Sequence, residues 1–137
     1  MTHLDMLRAA RAAIATPDKW CQKLRIDRDG RRCAIGAFDG DTACDILGAS
    51  ESLIACIGFL SAALPEEPIY YNGVLVEELG LLNNGVMEWY RVAGYNDSHT
   101  HAEVLAVFDR AIARQEVIED MVEEVATEFM MEKCDAV

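Results

Sequence analysis

The sharpest chemistry this sequence offers is a thiol set against an imidazole. Cys33 follows Arg31 and Arg32 and opens a run of small apolar residues, Ala34-Ile35-Gly36-Ala37. At a helix N-terminus, beside two guanidiniums, such a thiol has its thiolate stabilised. With His101 as base and Asn96 or Asp97 orienting that base, the set has the nucleophile, base and orienter logic of a cysteine-dependent hydrolase. The competing reading, and the preferred one, gives these residues no catalytic work. It makes Cys33 a packed thiol between residues too small to leave spare volume, and His101 a surface residue in the first turn of a helix. A second constellation joins His99 and His101 with Asp97, and more distantly His3. Three ligands crowded into one turn without a distant fourth make only an adventitious metal site. The stretch Asp39-Gly40-Asp41-Thr42-Ala43-Cys44-Asp45 resembles a calcium loop only at its start, because Ala43 stands at a ligand position and no Glu closes the frame. With no phosphate loop, dinucleotide fingerprint, nucleophile elbow or paired-histidine zinc motif, neither a metal nor a cofactor is expected.

The elements that must position these residues are mostly helical. Thr100 and Glu103 form a capping box, and Val104, Leu105, Phe108 and Ile112 recur behind it at helical spacing. Asn96 and Asp97 are read as a tight turn just upstream. A first helix is expected over 4–15, ending before Thr16-Pro17, with Trp20 as a core anchor whose indole N–H needs an acceptor. Asp29-Gly30 predicts a small β-hairpin over 24–33. Cys33 to Phe38 reads as a buried helix start, Ser50 opens a helix that Pro65 ends, and further helices are expected over 74–82 and 86–94. Five or six short helices thus precede a long one. From Thr100 to Lys133 there is neither Pro nor Gly, and the apolar stripe continues through Val117, Ile118, Met121, Val122, Val125, Phe129 and Met130. The fold class is therefore mainly α. A compact multi-helix domain over 1–114 carries the hairpin, and the C-terminal helix is either long or broken near Arg114. Residues 115–137 form an acidic amphipathic helix that must pack on the domain or on a partner.

Charge narrows the partners. The net charge of −12 divides into +4 over residues 1–32, −9 over 33–115 and −7 over 116–137. Such a surface repels nucleic acid and anionic membranes while its acidic parts suit a basic partner. The only basic patch lies in Lys23 to Arg32. No apolar run reaches the ~20 residues that span a bilayer, and the N-terminus lacks a signal-peptide layout. Five cysteines with no Cys-x-x-Cys pair argue for reduced, packed thiols. A cytoplasmic protein is expected.

The ordered set Trp20, Cys33-Ala34-Ile35-Gly36-Ala37, Tyr95-Asn96-Asp97, Thr100-His101-Ala102-Glu103-Val104-Leu105 and Phe108-Asp109-Arg110-Ala111-Ile112 resembles an uncharacterised family of small bacterial and bacteriophage proteins. The likeness runs over roughly residues 5–113 and stops short of the acidic tail. It implies a fold and carries no activity. The function read here is that of a small acidic binding or regulatory protein, phage-encoded or accessory, working through a protein partner or through self-association as a homo-oligomer. Contact is expected from Glu119, Glu123, Glu124 and Glu128, with Met130 and Met131 as adaptable apolar contacts. The cysteine hydrolase built on Cys33, His101, Asn96 and Asp97 is the alternative.

Overall fold

A computed structural model of the chain describes residues 1–38, 49–79 and 85–135. The calcium-like stretch 39–45 and part of the helix expected over 74–82 lie outside the described residues. Among the described residues four α-helices carry the architecture: α1 (His3–Ala13), α2 (Glu51–Ala62), α3 (Val86–Ser98) and α4 (His101–Asp135). Between α2 and α3 runs a two-stranded antiparallel hairpin, β1 (Tyr70–Tyr71) and β2 (Val74–Leu75), with Tyr70 opposite Leu75 and Tyr71 opposite Val74.

Three of the helices start where side chains relieve the unpaired amides of the first turn. Thr2 and Asp5 form a reciprocal box on α1, and Ser50 accepts from the Leu53 amide on α2. On α4 the expected box is present, with the Glu103 amide donating to Thr100 Oγ1 at 3.2 Å and the Thr100 amide donating to Glu103 Oε1 at 3.0 Å. Those bonds, backbone first and hydroxyl second, hold the Glu103 carboxyl below its ordinary range. The contribution is complete above the ordinary carboxylate range and fades as pH falls through the lowered value.

Helix α2 is apolar nearly all round, and it accordingly sits in the middle, touching α1, α3 and α4. Cys56, Ile57 and Leu60 from α2 meet Leu7 from α1, Val92 and Tyr95 from α3, and Phe108 from α4 in one buried cluster. Its last carbonyls would otherwise lack partners, and α4 supplies them. Arg110 Nε donates to the Ala63 carbonyl at 3.0 Å, and Arg114 donates to the Ala62 carbonyl. Cations at a helix C-terminus also oppose its macrodipole.

Several expectations need correction. Asp29-Gly30 does make its turn, with Gly30 at φ +79°, but over 24–33 no paired strands form, and Arg32 makes two isolated bridges, antiparallel to Ile26 and parallel to Trp20. Leu24 and Ile26 alternate on the first arm, but the second offers only Arg31 and Arg32 before Cys33, so no apolar face is shared across the turn. The paired strands lie at 70–75 instead, joined by Asn72 and Gly73 at φ +51° and +82°, the geometry of a tight two-residue hairpin turn. The segment expected to be helical from Val74 therefore begins as β2 and continues as a 3-10 helix, Val76–Leu79. Among the described residues Cys33 opens no α-helix: a turn and the three-residue 3-10 segment Gly36–Phe38 follow it. Asn96 and Asp97 belong to the last turn of α3. At the other end of the chain α4 runs unbroken for 35 residues, so of the two layouts considered for the C-terminal helix the long one is found.

Candidate functional site

The residues singled out for chemistry do come together, around Asn96. This asparagine is 1 % exposed and sits at the C-terminal turn of α3. Its Oδ1 accepts from Trp20 Nε1 at 2.8 Å and from the Ala34 amide at 3.0 Å, while Nδ2 donates to the Cys21 carbonyl at 3.1 Å. Gln22 Nε2 donates to the Asn96 carbonyl at 3.1 Å and to the His99 carbonyl at 2.9 Å. Next to it, Asp97 Oδ1 accepts from the Lys23 amide at 2.7 Å and holds Lys23 at φ +71°. The two side chains thus satisfy backbone groups left over by the internal bonds of segment 20–37, such as those from the Cys21 amide to the Arg32 carbonyl and from the Cys33 amide to the Arg25 carbonyl.

His101 is turned into this hub from the start of α4. Its Nε2 lies 2.6 Å from the Ile14 carbonyl at the end of α1, and its ring packs tilted on Trp20 with centroids 5.4 Å apart. Cys33 is buried at 6 % exposure, and its sulfur accepts from the Gly36 amide at 3.4 Å. Burial pushes the Cys33 thiol up, against the opposing pull of the Gly36 and Ile35 amides. Among the described residues no hydrogen bond joins Cys33 to His101. The hub bonds Asn96 and Asp97 directly to segment 20–37, reaches His101 through the Trp20 ring and Cys33 only through the adjoining Ala34 amide, and the imidazole is engaged by a backbone carbonyl. Native Cys33 is therefore expected to react with a thiol reagent at least tenfold more slowly than the unfolded chain, a thiolate-limited contrast readable by mass spectrometry. Equal rates in both states contradict this placement.

The histidines part company. His99 stacks on Tyr95 at 3.6 Å between centroids and meets Glu67 at 2.6 Å through Nε2, and His3 lies against Phe59. Among the described residues no cluster of three or more His, Cys, Asp or Glu side chains is assembled that could hold a metal ion. Burial likewise pushes the Cys21 and Cys56 thiols up to about 11.

The other feature is the outer half of α4. Val104, Phe108, Ala111 and Gln115 alternate at spacings of four and three and are all buried. Ile118, Val122, Val125 and Phe129 continue the same seam beyond the buried positions. Together with Val117, Met121, Met130 and Met131 they are 51–65 % exposed. Glu119, Glu123, Glu124 and Glu128 are exposed beside the seam. At its root an open groove of about 630 Å³ is lined by Phe59 and Ala62 of α2 and by Ala111, Arg114, Gln115, Val117 and Ile118 of α4. The sequence reading found the stripe but missed its continuity with the core, which the four-three spacing through Ala111 and Gln115 carries. It also missed Asn96 as the acceptor that Trp20 needs.

No helix among the described residues is long and apolar enough to cross a membrane. A family model described as a family of unknown function (DUF6197) matches residues 1–114, and the chain belongs to that family. No curated protein and no solved structure matches it. The matched span ends one residue before Gln115, the last buried position of α4 among the residues whose burial is described.

Proposed function

From membership of a family without an assigned activity, we propose that this chain is a small acidic binding protein that acts through a macromolecular contact made by the open seam of α4. The observation that carries the reading is the row of large apolar side chains from Val117 to Met131, 51–65 % exposed on one regular helix. Burying each is worth roughly 1.5–3 kcal/mol, and a contiguous apolar row rimmed by charge marks a contact surface. The seam residues Ile118, Val122, Val125 and Phe129 supply the contact itself. Glu119, Glu123, Glu124 and Glu128 rim it, and Met130 and Met131 extend it. The net charge of −12 argues for a protein partner over a nucleic acid. In this reading the chain works in the cytoplasm as an accessory or regulatory factor.

Removing residues 117–137 tests the proposal. A chain ending at Glu116 keeps the buried positions Val104, Val107, Phe108, Ala111 and Gln115 of α4 and the Arg8–Glu116 ion pair. It is expected to retain helical circular dichroism and to melt in one cooperative transition. Loss of that transition means the stripe completes the core in solution and overturns the reading.

A further inference from the structure

We propose that the occupant of this seam is a second copy of the chain, docked antiparallel, with the partner's Phe129 beside Ile118 in the groove at the seam's root. The proposal rests on the reading of the seam as a contact surface. The four-three repeat Gln115, Ile118, Val122, Val125, Phe129 is the spacing by which one helix packs along another. It starts from the buried seam of Val104, Phe108 and Ala111, so any partner helix continues a packing surface the domain has already begun.

Direction follows from where the domain sits. The inner half of each seam is covered by that chain's own α1, α2 and α3. In a parallel pair both covering layers would lie at the same level between the two helices and force them apart. In an antiparallel pair the two domains lie at opposite ends, and each meets only the last turns of the partner's helix, past Phe129, along the open groove. Opposed helix dipoles add to this preference.

Register follows from the apolar positions. Val122 faces the partner's Val125, and Ile118 faces the partner's Phe129. The flanks then carry no like-charge pair, because Glu119 faces the partner's Ala126 and Glu128 faces the partner's Met121. This register also brings an aromatic ring to the groove between Phe59 and Ile118.

Cross-linking of the full chain tests direction and register together. In a background carrying Cys44→Ser and Cys134→Ser, one chain carries Ile118→Cys and another Phe129→Cys. Mild oxidation of the equal mixture should link roughly half of the dimers, the share that random pairing makes heterotypic. Neither variant alone should link, since identical positions lie about 16 Å apart along the axis, beyond disulfide reach. Met121→Cys mixed with Glu128→Cys repeats the test with the apolar seam intact. Links within a single variant overturn the antiparallel direction. A dimer that links in no combination overturns the register. A monomeric full chain overturns the second copy altogether, and it leaves the contact-surface reading standing if the chain ending at Glu116 still folds.

Discussion

Asn96→Ala is expected to cost about 3–5 kcal/mol of folding stability, from three buried groups that lose their partners at roughly 1–3 kcal/mol each, less what relaxation recovers. The groups are the Trp20 indole N–H, the Ala34 amide and the Cys21 carbonyl. Against a total of roughly 5–15 kcal/mol for a domain of this size, that loss takes away much of the fold. Asn96→Asp separates the roles of the two amide atoms. It keeps an acceptor for Trp20 and Ala34 but turns a second oxygen toward the Cys21 carbonyl and the Asp97 carboxylate. It should recover only part of the loss. Chemical denaturation of both variants checks this, and a loss under about 1 kcal/mol in Asn96→Ala would show that the hub bonds are not holding segment 20–37.

Gly36→Ala should be the second severe change, for steric reasons. A Cβ built at Gly36 would lie 2.1 Å from the Arg25 carbonyl oxygen and 2.9 Å from its carbonyl carbon. The obstacle is backbone, so no rotamer change can relieve it. Overpacking typically costs roughly 1–3 kcal/mol, and an unyielding neighbour places this position at or above the top of that range. Gly58→Ala supplies the contrast. It lies within α2 with nothing inside 4 Å of the new methyl, and a helical Gly→Ala change is worth about 0.8–1 kcal/mol of stabilisation. Melting curves should therefore move in opposite directions for the two substitutions. Equal shifts would mean that the close approach of Gly36 to Arg25 does not constrain the fold.

What could be read from the sequence follows the range of the forces involved. The Thr100 and Glu103 box is complete within four residues, so its expectation matched the bonds found. Asn96-Asp97 carries an equally local signal for a turn, and there it misled. The same short amides and carboxylates bond to Trp20, Ala34, Cys21 and Lys23, which are more than sixty residues away in sequence. The hairpin was misplaced for a related reason. Asp29-Gly30 and Asn72-Gly73 are comparable turn signals, and only the second has apolar and aromatic arms, Tyr70, Tyr71, Val74 and Leu75, that α3 can cover. Cys33 was read at a helix start because small residues follow it, whereas those residues serve the close approach at Gly36. For α4, periodicity established the helix and its apolar face. It could not establish which stretch of that face the domain covers, because coverage depends on how far α1, α2 and α3 reach along the axis.

Sedimentation equilibrium on the intact chain beside a Val122→Glu, Val125→Glu variant is the most direct measurement of the seam's role. At tens of micromolar the intact chain should sediment at twice its 15.2 kDa mass. The variant, with two carboxylates set into the middle of the seam, should sediment at the single-chain mass with its helical circular dichroism unchanged. An intact chain that stays at 15.2 kDa across that range, or a variant that associates as the intact chain does, would contradict the account.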